Sequence, residues 1–115
     1  MERLTDRTYT PDKWLVIKIE GGDFPLTYKV FACWYGGYLG SDSWKLNSGI
    51  TKVTKEEDCY LFEGYSGSVY KCHKDAYGVN MYGHGVLNNI INKSKEAGVN
   101  VEMMSEDTNW LDISY

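Results

Sequence analysis

Up to His73 the apolar and polar positions follow a period of two, and beyond Gly78 they follow a helical period, which predicts a strand-rich body followed by one helix. Lys13 to Ile19 (KWLVIKI) is β-branched and aromatic and runs into Glu20-Gly21-Gly22-Asp23, a cluster that tolerates positive φ, so it reads as strand then turn. Leu26 to Tyr35 places Leu26, Tyr28, Val30, Ala32 and Trp34 on one side and Thr27, Lys29, Phe31, Cys33 and Tyr35 on the other. Large apolar groups on both sides mark a central strand. Ile50 to Lys55 alternates, Glu56-Glu57-Asp58 supplies a charged turn, and Cys59 to Glu63 and Ser68 to His73 follow on either side of Gly64 to Gly67. These three short strands suggest an antiparallel meander.

From Gly85 to Ala97, Val86, Leu87, Ile90, Ile91, Ser94 and Ala97 recur on one helical face, with Asn88, Asn89, Asn92, Lys93 and Glu96 opposite. Gly98 is placed to end the helix, and Lys93 and Lys95 sit in its last turn, where cations complement the carbonyl end. Val99, Val101 and Met103 then alternate with polar neighbours as a last strand. The expected fold class is α+β: a twisted antiparallel sheet of about five to seven strands with one amphipathic helix packed on one face, in a single domain over residues 1–115. One helix cannot cover a strand that is apolar on both sides. The second face calls for loops or a second copy of the chain, a homodimer or larger ring.

The composition, 43% apolar and 24% charged, is that of a globular chain. No apolar run is long enough to span a bilayer, and Met1 to Thr10 lacks the apolar core of a secretory signal. The net charge of −4 is unevenly spread, with −5 over residues 96–115 and +1 over the first 95. Such a chain lacks the broad positive field that duplex nucleic acid demands, while its acidic end could meet a basic partner surface or simply face water. Cys33, Cys59 and Cys72 are odd in number and form no CxxC, which suits buried thiols in a reducing cytoplasm. Cys72 and His73 are adjacent but point to opposite faces of a strand, and no spacing assembles a zinc site. No cofactor or metal is expected.

Residues 34–49 concentrate four aromatics, four glycines and three serines with Asp42, Lys45 and Asn47. Glycine lets backbone N–H groups approach a ligand, serine and asparagine give short directional hydrogen bonds, and indole or phenol rings offer flat stacking surfaces. Tyr65 to His73 repeats this chemistry. If the two segments are neighbours, Lys45, Lys71 and His73 would neutralise phosphates while Trp34, Trp44, Tyr65 or Tyr70 stacks on a base. The candidate ligand-binding residues are therefore Trp34, Tyr35, Gly36, Gly37, Ser41, Asp42, Ser43, Trp44, Lys45, Asn47, Ser66, Ser68, Tyr70, Lys71 and His73. His84, at the start of the helix beside Gly83 and Gly85, joins them as a donor near free N–H groups. The same residues also suit ordinary hairpin turns and strand cores, and neither GxGxxG nor GxxxxGK[ST] occurs. Asp42 between Ser41 and Ser43, with His73 or His84 as base, has catalytic ingredients but no GxSxG elbow, so a binder is expected over an enzyme.

In the run Trp34-Tyr35-Gly36-Gly37-Tyr38-Leu39-Gly40-Ser41-Asp42-Ser43-Trp44-Lys45-Leu46-Asn47-Ser48-Gly49-Ile50, followed by Ser66-Gly67-Ser68-Val69-Tyr70-Lys71-Cys72, the chain resembles small uncharacterised proteins of tailed bacteriophages. The likeness covers about residues 10–98. It implies an accessory viral protein of the bacterial cytoplasm that antagonises host defence. The leading expectation is a binder that sequesters a nucleotide-derived signalling molecule without cleaving it. The alternatives are a protein inhibitor that docks on a host nuclease or immune effector, and a small nucleotide-processing enzyme.

Overall fold

The computed structural model describes residues 7–36 and 40–115. Within them the chain forms β1 (Thr8–Tyr9), β2 (Lys13–Gly21), β3 (Phe24–Trp34), β4 (Ser43–Leu46), β5 (Ile50–Glu56), β6 (Cys59–Gly64), β7 (Val69–His73), the helix α1 (Met81–Glu96) and β8 (Asn100–Met103). Short 3-10 turns occupy Lys74–Ala76 and Trp110–Asp112. The fold is α+β with one helix. Its eight strands are divided between two four-stranded sheets, β1-β7-β6-β5 and β4-β3-β2-β8, where the sequence pattern led us to expect one sheet of five to seven. Pairing is antiparallel throughout except for β1, which lies parallel to β7.

The second sheet answers the problem posed by β3. Trp14, Val16, Val30 and Ala32, on one face of β2 and β3, pack against Ile50, Phe62, Tyr70 and Cys72 of the other sheet. Leu15, Ile17, Phe31 and Cys33, on the opposite face, pack with Val101 and with Leu87 of α1. The sheet β4-β3-β2-β8 is thus the middle layer of three, covered within the chain by a sheet on one side and a helix on the other. Its two apolar faces follow from that placement.

The crossing between sheets is made by Asn47. Its backbone N–H donates to the Val30 carbonyl at 3.0 Å, and its Oδ1 accepts from the Val30 N–H at 2.9 Å, so one side chain replaces a paired strand residue as β4 ends. The helix begins one turn earlier than Gly85, because Asn80 caps it: Asn80 Oδ1 accepts from Gly83 N–H at 2.6 Å. At the other end Val99 N–H reaches Ser94 O at 2.8 Å and Gly98 N–H reaches Lys95 O at 3.0 Å, with Gly98 at φ 80°. This is a Schellman closure, and it makes Gly98 the stop that its position in the sequence suggests.

The acidic C-terminal segment is not a loose tail. Trp110 is buried against Trp14, Phe62 and Tyr77, and the Tyr115 hydroxyl donates to the Trp110 carbonyl at 2.6 Å.

Candidate functional site

The two glycine, serine and ring segments meet twice, where Ser66 bonds Ser48 and in a ring cluster centred on Tyr9. Its ring lies 6.4 Å from that of Trp34 and 5.1 Å from that of Tyr70, and the Lys45 ammonium stands 5.3 Å above it. Nearby, Arg7 donates to Ser68 Oγ at 3.2 Å. Arg7 and Tyr9 carried no recognisable signal in the sequence, because two strand residues paired in parallel across the fold leave no local pattern.

Most of the remaining candidates hold the fold together. Tyr70 is only 3% exposed, and burial raises its hydroxyl pKa to about 12. The Trp34 indole N–H donates to the Thr10 carbonyl at 3.0 Å, and the Tyr35 N–H donates to Asp12 Oδ2 at 2.8 Å. Asp42 accepts from the Gly36 N–H at 2.9 Å and closes its own loop, where a Cβ on Gly36 would overlap the Ser41 carbonyl carbon. Ser41 and Ser43 are exposed on either side, and Gly37 lies outside the described residues. Asn47 and Ser68 are buried, and among the described residues the Asn47 Nδ2 has no hydrogen-bond partner. The Ser66 N–H donates to Ser48 Oγ at 2.9 Å, which fastens the β6–β7 turn to the crossing between sheets.

Lys71 and His73 face away from Tyr70, on the solvent side of their sheet, as strand alternation requires. Lys71 pairs with Glu56 at 3.7 Å, and His73 Nδ1 accepts from the Asp75 N–H at 3.1 Å. His84 lies on the helix, 3.4 Å from the Asn88 side chain one turn on. Trp44 sits on the helix side of the middle sheet, stacked on Phe31 with centroids 5.5 Å apart and rings at 23°. The expected residues are therefore scattered over the Tyr9 junction, the β6–β7 turn, the loop closed by Asp42, the solvent face of β7, the helix side of the middle sheet and, for His84, α1 itself.

The thiols lack nucleophilic character where they are buried. Burial pushes the Cys33 thiol up, with a hydrogen bond from the Asn80 backbone partly offsetting it and the Asp42 carboxylate adding to it. Burial pushes Cys72 further still. Both remain protonated at neutral pH. Cys59 is the direct cross-strand partner of His73, an adjacency that only the register reveals. Among the described residues no group of three or more His, Cys, Asp or Glu side chains converges as a metal site.

A concave surface exists elsewhere. Between the second half of α1 and the middle sheet lies a cleft of about 390 Å³, walled by Ile17, Ile19, Leu46, Ile90, Val99 and Val101. Phe24, at the β2–β3 turn, and Ala97 close its ends. The polar groups that reach it are Thr27 and Ser94, and the charged ones are Lys29 from β3 and Lys93 from α1. Leu46 is the one wall residue drawn from the 34–49 segment. Gly83 brings the start of the helix onto Cys33, where a Cβ would overlap the sulfur, and the cleft lies further along, beside Ile90 and Ser94. A second, polar hollow of about 190 Å³ lies beside Tyr60, Lys74, Asp75, Tyr77, Glu106 and Asp107.

No family model, curated protein or solved structure matches the chain.

Proposed function

We propose that this protein is a non-catalytic binder that takes up a small molecule in the cleft between α1 and the middle sheet. The observation that carries the reading is the cleft itself: about 390 Å³ of space with aliphatic walls on both sides, within the size range of small-molecule sites. Each methylene that moves from water into such walls contributes about 0.8 kcal/mol, so a modest apolar body suffices for micromolar affinity. The phage resemblance fits a protein of this kind, one that withdraws a host molecule from solution without altering it.

The test is uptake of the neutral fluorophore 1-aminoanthracene. We expect enhanced, saturable emission at one site per chain, lost in Ser94→Trp, whose indole fills the cleft from the helix side. Emission unchanged by the protein would remove the proposal.

A second reading keeps the nucleotide-derived ligand and places it at the Tyr9 junction. It is favoured by the union of Trp34, Lys45 and Tyr70 around the Tyr9 ring, with the Arg7–Ser68 pair nearby. Stacking would use Tyr9 and Trp34, and Lys45 and Arg7 would meet phosphate. Native mass spectrometry with cyclic dinucleotides and ADP-ribose derivatives distinguishes the two. Adducts that vanish in Tyr9→Ala support this second site, and adducts insensitive to that change remove it.

A further inference from the structure

We infer that the occupant of the α1 cleft is a single-chain anionic amphiphile, a hydrocarbon body carrying one carboxylate or equivalent head group. The inference rests on the reading of that cleft as a binding site, and it adds the chemistry of both ends of the ligand.

The body is set by what the walls lack. Apart from Lys29 and Lys93, the side chains with polar atoms at the cleft are Thr27 and Ser94, each with one hydroxyl. A purine or pyrimidine inserted there would bury several ring donors and acceptors against Ile17, Ile90 and Val101 with nothing to pair them, a penalty that hydrogen-bonding sites avoid and this one cannot. A hydrocarbon chain asks for no partners. A groove of about 390 Å³ has room for one medium-length hydrocarbon chain.

The head is set by charge. Every ionisable side chain lining the cleft is a lysine, in a chain whose net charge is −4. Lys29 comes from the sheet wall and Lys93 from the helix wall, so the two ammonium groups flank the space from opposite sides. Among the described residues neither one is in an ion pair. Lys93 also lies in the last turn of α1, where the carbonyl end of the helix favours a cation and the lysine in turn offers the ligand its charge. Both are long, flexible side chains that can keep the head group hydrated at the mouth while the chain lies along the aliphatic walls, which avoids the cost of a buried charge.

The experiment is displacement of 1-aminoanthracene by four ten-carbon compounds and a length series: decanoate, decyl sulfate, decan-1-ol and decylamine, then octanoate and dodecanoate. We expect decanoate and decyl sulfate to bind about tenfold more tightly than decan-1-ol, and decylamine to be the weakest. Each methylene should change affinity by roughly fourfold until the chain outgrows the cleft. In the Lys29→Met, Lys93→Met double variant, which retains both aliphatic stems, the acids should fall to within about twofold of the alcohol. If the alcohol or the amine matches the acids on the unaltered chain, the anionic head is wrong and the cleft reading survives. Failure of every compound, together with no uptake of the dye, removes the cleft reading itself. Sedimentation of the protein with and without decanoate covers the other occupant, a second copy: a dimer that the ligand dissociates, and that Ile90→Glu also dissociates, would overturn the proposal.

Discussion

The two faces of the middle sheet are built from different materials. Toward the second sheet, Trp14 sits with the rings of Phe62, Tyr77 and Trp110 at 5.3, 4.8 and 5.8 Å, and Tyr60, Tyr70, Tyr9 and Tyr115 extend the same ring cluster. Toward the helix the side chains are mostly aliphatic, and space is left over along Ile17, Ile90 and Val101. Rings are large and rigid and fill the gap between two sheets. The aromatic residues that look most like ligand platforms in the sequence are therefore largely committed to packing, and the empty space lies where the chain reads as ordinary.

The largest expected contrast comes from truncation on each face. Trp14→Ala should destabilise the protein by about 3–5 kcal/mol, since the indole is buried and its N–H donates to the His73 carbonyl at 2.7 Å. Ile90→Ala, on a wall already open to solvent, should cost less than about 2 kcal/mol. Urea denaturation of both variants measures the difference, and equal losses would erase the distinction between the faces.

A smaller contrast lies within α1. Gly83→Ala should cost about 1–3 kcal/mol, because the added methyl meets Cys33 Sγ and must lift the helix, and it should also change dye uptake. Gly85→Ala, two residues on and facing open space, should stabilise by about 0.5–1 kcal/mol through helix propensity alone. Thermal melts compare the pair, and a benign Gly83→Ala would mean that the helix is not seated on the sheet at that point.

The last contrast is in pH dependence, and it should belong to the aromatic face. Tyr70 and Tyr77 are each raised to about 12, first by burial, with the Tyr77 hydroxyl also donating to the Met104 carbonyl at 2.6 Å. An unfolded tyrosine ionises near 10, so the folded state holds its protons where the unfolded state releases them. Stability is then full below pH 10 and declines as pH rises from about 10 to 12. Equilibrium unfolding at stepped pH should show this decline, weakened in Tyr70→Phe. A flat profile to pH 12 would show that these hydroxyls are not protected.

Much of the fold was legible because it is local. The β-branched and aromatic run Lys13–Ile19, the alternation at Leu26–Tyr35, the acidic turn at Glu56–Asp58 and the glycine after α1 each depend on a few consecutive residues. The double apolarity of β3 even announced a second covering layer. What covers it could not be read, because whether β5, β6 and β7 join the same sheet or form another is fixed by the Asn47 crossing and not by any strand's own pattern. The site was less legible for the same reason. The union of Trp34 and Tyr70 depends on a two-residue strand, and the cleft depends on how the helix is laid against residues far from it in sequence, Ile17, Leu46 and Val101 among them. Ring-rich composition records surface area available for contact and does not say whether the contact is with a ligand or with the interior.

Helix α1 is moored at both ends by glycine. Gly83 rests on Cys33 at the start, and at the finish the Gly98 carbonyl abuts Gly21, where even an added methyl would come within 2.9 Å. Both contacts exclude a side chain, at Gly83 and at Gly21, so the height of the helix above the sheet is set by residues that have none.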